Sequence, residues 1–262
     1  RYWAYQTDGF VESSPTVADD SVYVGSGDGI IYALSAPLGN KLWSVPTSGA
    51  IHSSPTVVNG TLYIGSDDGC VYALSATSGD ERWAFQTDGA VRSSPTVADG
   101  TVFVGSGDGT IYAIDAKWGE REWQYTTEDV VHSSPTVAER TLFVGGDDGT
   151  VYALDINSGD RIWTFDTDGR IWSSPTVAGD IVFVGSNDGY LYALDIESGR
   201  RRWMVDTGDW VDTSPTVVSE TVFFVSDDGT IYALSAGVKG SSSGSRVNLG
   251  TLGHHGGWTG GT

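Results

Sequence analysis

A forty-residue pattern repeats six times along the chain, and this period limits the possible folds more than any other feature. A Ser-Pro-Thr-Val segment recurs every forty residues from Ser14–Val17 to Ser214–Val217. Tryptophan recurs with the same spacing, at Trp3, Trp43, Trp83, Trp123, Trp163 and Trp203. Self-similarity at a period of roughly 20–50 residues is typical of repeat architectures. The fold is therefore expected to consist of six copies of one supersecondary unit.

The third copy shows what one unit builds. Short β-prone runs alternate with Asp-Gly turns, which predicts four antiparallel strands. The strands are expected at Ser94–Ala98, Thr101–Gly105, Thr110–Ile114 and Glu122–Thr126. The first 236 residues carry no helical periodicity. Six such units predict an all-β fold: a six-bladed β-propeller of four-stranded antiparallel blades.

The two ends of the chain suggest how the ring closes. Ser243 stands where the sixth copy should have its tryptophan, and Trp3 precedes the first Ser-Pro with no blade of its own. We predict that residues 1–7 pair with Thr230–Ala236 as the outer strand of the last blade, which would leave no open sheet edge. The alternative is a fragment cut mid-blade from a longer array. We predict that residues 1–236 form a single propeller. The Gly/Ser-rich residues 237–262 are expected to form a tail or linker, with Trp258 as its only plausible anchor.

Composition excludes several classes of partner. With 34 acidic against 14 basic residues, the chain has a formal net charge of -20, which disfavours nucleic acid and anionic membranes. No apolar run approaches the roughly 20 residues needed to span a bilayer, and Cys70 is the only cysteine. A lysine-poor acidic surface resembles that of proteins from halophilic archaea. The alternative is an ordinary acidic protein. Separately, we expect the protein to be a monomer.

The repeat resembles a known family. The segment from Ala153 to Trp163, preceded by Val144 to Tyr152, is similar to the tryptophan-docking repeat of pyrroloquinoline-quinone (PQQ) propellers, and the resemblance spans residues 1–236. One motif position varies: Asp115, Asp155 and Asp195 keep the usual acid, whereas Ser35, Ser75 and Ser235 replace it. The serine-containing loops are expected to close with a weaker hydroxyl hydrogen bond.

The resemblance leaves two classes of function open. PQQ-type repeats occur in eight-bladed alcohol dehydrogenases and in non-enzymatic relatives, such as an outer-membrane assembly lipoprotein. The dehydrogenases carry a vicinal cysteine pair, which one cysteine cannot provide. The resemblance therefore favours a binding or assembly scaffold without a cofactor, located outside the cell or at its surface. The alternative is a PQQ-dependent dehydrogenase of alcohols or sugars that uses Ca²⁺.

A binding site should lie where the copies differ, because core positions repeat. The residues two before each Ser-Pro pair are Glu12, His52, Arg92, His132, Trp172 and Asp212. Two positions earlier stand Phe10, Ala50, Ala90, Val130, Arg170 and Trp210. We predict that the first set, with Arg170 and Trp210, lines one mouth of the channel, with an acidic half and a basic half, and binds a protein, peptide or small ligand. The alternative is a row of solvated loop residues.

No catalytic or metal-binding residue is predicted. His52 and His132 lie two blades apart. The Asp-Asp-Gly turns at Asp67, Asp147 and Asp227 lack the further ligands of a calcium loop. In the dehydrogenase alternative, Arg92 would pair with a quinone carboxylate and Trp172 would stack on the quinone. Asp212 and Glu12 would hold Ca²⁺, and one of them would serve as base.

Overall fold

The computed structural model describes residues 2–237, which form 23 strands and no helix. Units 1 to 3 contain β1 (Thr16–Ala18), β2 (Ser21–Gly25), β3 (Ile30–Ser35), β4 (Lys41–Pro46), β5 (Thr56–Val58), β6 (Thr61–Gly65), β7 (Cys70–Ser75), β8 (Glu81–Gln86), β9 (Thr96–Ala98), β10 (Thr101–Gly105), β11 (Thr110–Asp115) and β12 (Arg121–Thr126). Units 4 to 6 contain β13 (Thr136–Ala138), β14 (Thr141–Gly145), β15 (Thr150–Asp155), β16 (Arg161–Asp166), β17 (Thr176–Ala178), β18 (Ile181–Gly185), β19 (Tyr190–Asp195), β20 (Arg201–Asp206), β21 (Thr216–Val218), β22 (Thr221–Val225) and β23 (Ile231–Ser235).

Each unit folds into its own antiparallel sheet with the strands in chain order. Units 1 to 5 give four-stranded sheets, and unit 6 gives a three-stranded sheet, β21-β22-β23. Glycine permits the tight turn before the third strand, because Gly109 has a φ of 79°. The third unit confirms the four predicted strands, although its first strand begins after Pro95. The predicted β-propeller repeat is therefore confirmed at the level of the single unit.

A seam joins each unit to the next and contains an apolar core. At the seam between units 3 and 4, the indole Nε1 of Trp123 donates to the carbonyl oxygen of Ile156 over 2.9 Å. The ring lies against Gly159, where an added Cβ would come within 2.7 Å of it. Phe103, Ile111 and Trp123 of unit 3 pack on Leu142, Val144 and Leu154 of unit 4. The recurring tryptophan thus packs between neighbouring units, as the resemblance to a tryptophan-docking repeat implies.

The inner strands are tied together by side-chain hydrogen bonds. Thr136 Oγ1 donates to the carbonyl oxygen of Pro175 over 2.6 Å. The amide of Ser134 donates to Ser174 Oγ over 3.1 Å. Equivalent threonine bonds join units 1 to 2, 2 to 3, 3 to 4 and 5 to 6. The repeated Ser-Pro-Thr thus fixes the spacing of the units around the axis.

Unit 6 leaves its outward seam face uncovered. Phe223 is 42% exposed and Ile231 is 76% exposed, and Ala233 beside them is also exposed. The residues equivalent to Ile231 in the first five units are fully buried, namely Ile31, Val71, Ile111, Val151 and Leu191. Within residues 2–237, five seam cores are therefore present, and no core joins unit 6 to unit 1.

The predicted ring closure is not seen, and Val225 supplies a physical reason. Units 1 to 5 have glycine at this position: Gly25, Gly65, Gly105, Gly145 and Gly185. A Cβ added at any of these five would lie 2.1–2.4 Å from the residue that enters from the next unit. In unit 1 that entering residue is Val11, which is 49% exposed. A valine at position 225 would therefore meet the link of unit 1 if that unit were placed on unit 6 as the other units are placed on one another, unless the link shifted.

Residues 2–7 lie on unit 1 instead of pairing with β23. Trp3 Nε1 donates to the carbonyl oxygen of Ala36 over 2.8 Å. The rings of Tyr5 and Tyr32 have centroids 5.5 Å apart, as Tyr125 and Tyr152 do at the seam between units 3 and 4. The N-terminal segment thus occupies the place of an outer strand from a preceding unit. Most of the predicted tail 237–262, from residue 238 onwards and including Trp258, lies outside the described residues.

The loop before the outer strand shows the effect of replacing aspartate by serine. In unit 4, Asp155 Oδ1 accepts hydrogen bonds from the amides of Asn157 and Ser158 at 2.8 and 3.1 Å. In unit 2, Ser75 Oγ accepts one from the amide of Ser78 at 3.3 Å. This longer, neutral bond confirms for unit 2 the weaker loop closure that the sequence predicts.

We expect Ser75→Asp to raise the free energy of unfolding by about 0.5–1 kcal/mol, because a carboxylate accepts stronger hydrogen bonds than a hydroxyl. Urea unfolding followed by tryptophan fluorescence measures the change. The reciprocal Asp155→Ser in unit 4 serves as the matched control and should lower stability by a similar amount. A destabilised Ser75→Asp protein would contradict this account of the loop.

Candidate functional site

Two kinds of segment meet at one end of the units, and this region is called the mouth. The first is the link that leads into each inner strand, and the second is the turn before each third strand. In unit 2, the amide of Asp67 in the turn donates to Ala50 of the unit's own link. The amide of Val91, in the link of unit 3, donates to Ser66 of the same turn. Each such turn therefore lies between two links and can contact side chains from both.

The first polar network spans units 1 to 3 and centres on Asp67. The Arg92 guanidinium donates to both carboxylate oxygens of Asp67, from Nε and Nη2, at 2.9 Å each. His52 Nδ1 lies 2.6 Å from Glu12 Oε2, and its Nε2 lies 3.4 Å from Asp67 Oδ2. Burial acts to raise the pKa of Asp67, but hydrogen bonds from His52 and Arg92 outweigh it and lower the pKa to about 2. Asp67 is thus a fixed anion held by two units.

The second network repeats this arrangement two units later and centres on the buried Asp147. His132 Nδ1 lies 3.1 Å from Asp147 Oδ1. Trp172 Nε1 donates to Asp147 Oδ2 over 3.1 Å. Arg170 approaches the same oxygen only to 3.9 Å and keeps 58% of its side chain exposed. The mouth therefore has a period of two units, whereas the core has a period of one.

Aromatic rings continue the second network along the mouth. The rings of His132 and Trp172 meet edge to face at 6.2 Å, and those of Trp172 and Trp210 at 6.1 Å. Trp210 is 46% exposed. On the other side of the mouth, Phe10 packs at 5.4 Å from His52 and remains 51% exposed. These exposed rings offer apolar contact area beside fixed charges.

The structure brings most of the predicted site residues together, but not as two charged halves. Glu12, His52 and Arg92 share one network, and His132, Arg170 and Trp172 share the other. Trp210 joins the second through its ring, and Asp212 lies partly buried at the equivalent position of unit 6. The predicted separation into an acidic and a basic half is wrong, because carboxylates pair with basic groups of the same and the next unit.

Sequence reasoning missed the two residues at the centres of these networks. Asp67 and Asp147 were assigned only to turns. Units 1 and 3 have Gly27 and Gly107 at this position, and unit 5 has Asn187. Aspartate in units 2, 4 and 6 thus alternates with glycine or asparagine in units 1, 3 and 5, and this variation between copies is visible in the sequence in the same way as that at the links.

The residues assigned to a quinone and calcium do not fit those groups. Arg92 donates to Asp67 from Nε and Nη2, and Glu12 is paired with His52. The ring of Trp172 already makes edge-to-face contacts with the rings of His132 and Trp210. Within residues 2–237, no group of three or more His, Cys, Asp or Glu side chains could hold a metal ion. We therefore derive no chemistry through PQQ or Ca²⁺.

Comparison with known families agrees with this geometry. The family described as outer membrane protein assembly factor BamB matches residues 1–55, 27–164 and 147–241, which together cover most of the chain. The chain belongs to this family. This BamB family also accounts for the PQQ-like repeat inferred from the sequence.

Solved structures show the same fold at low sequence identity. BamB from Moraxella catarrhalis is 22% identical and has a TM-score of 0.76, with 92% of this chain and 77% of that chain covered. The computationally designed Ika8 protein is 20% identical with a TM-score of 0.76, covering 94% and 77%. No curated protein matches the sequence. Across residues 2–237, no helix is long and apolar enough to cross a membrane.

The stability contributed by His52 should depend on pH. Its hydrogen bond to Asp67 raises the pKa of His52 above the usual value, although burial opposes this. Because the folded pKa is the higher one, the stabilisation is full below about 6.5, the usual pKa of an unfolded histidine. It should disappear as pH rises through the folded pKa. The difference in unfolding free energy between the native protein and His52→Gln should therefore be smaller at about pH 8.5 than at about pH 5.5. These two pH values bracket the titration of a histidine.

The control for this titration is Glu139→Gln, at a turn on the opposite end of the units. It should shift stability by the same amount at both pH values. An NMR titration of the His52 ring supplies a direct reading, and a midpoint below that of a free histidine would contradict the assigned contacts.

Proposed function

We propose that the protein is a non-catalytic scaffold that binds a protein or peptide partner at the mouth. The observation that carries this proposal is the contrast between seams and mouth. Seam residues repeat and are buried, whereas the mouth combines fixed charges with the exposed rings of Phe10 and Trp210. Aromatic residues beside satisfied charges are the composition of binding hot spots. The partner-binding residues are Glu12, His52, Arg92, His132, Arg170, Trp172, Trp210 and Asp212.

Membership in a family named for outer membrane protein assembly supports a protein as the partner. By the same analogy, we propose a location at the cell surface or outside the cytoplasm. A small ligand in the mouth is the lesser alternative, because Nε and Nη2 of Arg92 already donate to Asp67 and Nε1 of Trp172 donates to Asp147. Nothing in the geometry favours a dehydrogenase, and we propose no cofactor.

Trp210→Ala should weaken partner capture about tenfold or more while leaving the melting temperature unchanged, because its ring is exposed and contacts Trp172 only at an edge. The matched control is Trp118→Ala, which removes a 64% exposed indole from an outer loop of unit 3. Quantitative crosslinking in the native cells, with a photo-reactive residue at position 210, identifies the partner. The same photo-reactive residue in place of Asp99, at the opposite end of the units, is the negative control.

Equal capture by the two tryptophan variants would contradict a binding site at the mouth. The same protein should be titrated with PQQ and Ca²⁺ while quinone absorbance and alcohol-dependent dye reduction are followed. Stoichiometric uptake with turnover would overturn the scaffold proposal.

We also propose that the protein works at high salt, on the basis of its net charge of -20. Like charges repel more strongly in the compact state than in the unfolded chain, and salt screens that repulsion. The melting temperature should therefore rise between dilute buffer and about 2–3 M NaCl, where the screening length falls to about 3 Å or less. KCl should act in the same way. A flat or falling melting temperature would remove the halophilic interpretation.

A further inference from the structure

The two networks of the mouth share one layout but differ in their balance of acids and bases. In the first network, two carboxylates serve two basic groups, and Glu12 is the more exposed of the two acids. In the second, within residues 2–237, His132 and Arg170 share the single carboxylate of Asp147. The position equivalent to Glu12 two units later is Arg92, which belongs to the first network. The second network therefore has one carboxylate fewer than the first.

Arg170 is the basic group at the mouth whose donors are least used. Both oxygens of Asp147 already have a partner: Oδ1 lies 3.1 Å from His132 Nδ1, and Oδ2 accepts from Trp172 Nε1. Arg170 Nη1 lies 3.9 Å from Oδ2, beyond hydrogen-bond distance. By contrast, Arg92 donates two hydrogen bonds within the first network. Attraction to Asp147 thus holds the Arg170 guanidinium at the mouth, while its N–H groups are available to another acceptor.

The charges around Arg170 determine which acceptor fits. A guanidinium presents a fork of donors that matches a carboxylate or a phosphate. Asp147 lies beside this guanidinium, and the exposed Asp168 stands two positions earlier in the same link. These two negative charges oppose a doubly charged phosphate more than a singly charged carboxylate. No aspartate or glutamate stands among residues 238–262, so no side chain of that segment can supply the carboxylate.

Apolar surface lies beside the same guanidinium. Arg170 Nη1 and Trp172 Nε1 approach the same oxygen of Asp147. The half-exposed ring of Trp210 meets the ring of Trp172 edge to face. Arg170 and Trp210 therefore lie on either side of one indole. An acidic residue that binds Arg170 can place an apolar neighbour against Trp210.

We propose that Arg170 binds a side-chain carboxylate of the partner protein, from an acidic residue that stands next to an apolar one. The guanidinium donates two hydrogen bonds to this carboxylate, which supplies the second acid that the network lacks. The apolar neighbour packs on Trp210, and arginine and tryptophan are the residue types most often found at binding hot spots. This inference rests on the function proposed for the mouth and specifies the chemistry of its partner.

The probe is the peptide Gly-Gly-Leu-Glu-Gly-Gly with both ends blocked, and the matched probe has glutamine in place of glutamate. NMR of the full chain, observed at the Nε–H of Arg170, should show saturable shifts with the glutamate peptide and not with the glutamine peptide. Arg170→Gln should weaken binding of the glutamate peptide about tenfold or more, because the charged fork is lost. The control is Arg161→Gln, which removes the same charge from the exposed start of β16 in unit 4 and should bind normally.

Partner capture separates this inference from the proposed function of the mouth. Arg170→Gln should weaken capture as Trp210→Ala does, and Arg161→Gln should not. If Trp210→Ala weakens capture and Arg170→Gln does not, the mouth binds its partner without this carboxylate, and the inference is wrong while the proposed function stands. If neither variant weakens capture, the proposed function fails and the inference fails with it. Melting temperatures report whether each variant is folded.

Three results with the peptides would also overturn the inference. The first is an equal shift of the Arg170 signal with the glutamate and glutamine peptides. The second is an unchanged signal with the glutamate peptide present at millimolar concentration. The third is tighter binding of the glutamine peptide once its C terminus is unblocked than of the blocked glutamate peptide, which would assign Arg170 to a chain terminus instead of a side chain.

Discussion

The hydrogen bond from an indole N–H to a main-chain oxygen of the next unit is the contact on which the architecture depends. It is made by Trp3, Trp43, Trp83, Trp123 and Trp163, at 2.8–3.1 Å. The ring needs a neighbour without a side chain, and it buries an apolar area large enough to dominate the packing of a seam. Each unit therefore depends on its neighbours for most of its core, as expected for a repeat protein.

The core repeats with every unit and the mouth with every second unit, because different physical constraints act on them. A seam accepts one set of shapes, so all five seams use nearly the same residues. The mouth is constrained only where a carboxylate must be satisfied. Asp67 and Asp147 each draw one donor from their own unit and one from the next, which gives the mouth its two-unit period. This pairing neutralises charge locally within a strongly acidic protein and leaves aromatic rings as the main free contact area.

The period of forty was sufficient to predict the four strands, the turns and the docking role of tryptophan, because each follows from local pattern within one unit. It also singled out Glu12, His52 and Arg92, which stand where the copies disagree and which the structure brings into one network. Closure could not be predicted in this way, because it depends on how the face of unit 6, where Val225 replaces the glycine of the other units, meets a link that is distant in sequence. The pairing of acids with bases could not be predicted for a related reason. The sequence around Asp67 indicates only a turn, and its role depends on the positions of the two links that lie on either side of that turn.

The glycine that packs against each indole determines how a substitution at that position would destabilise the protein. At Gly119, an added methyl group would fall 2.7 Å from the ring of Trp83. If displacement of that ring opened the whole seam, including the hydrogen bonds of Ser54 and Thr56 to unit 3, a piece of two units would separate from a piece of four. Each piece would carry a newly bared apolar sheet, and such surfaces stack on one another. A change of one methyl group at this position would therefore show itself as aggregation, with the individual sheets still folded.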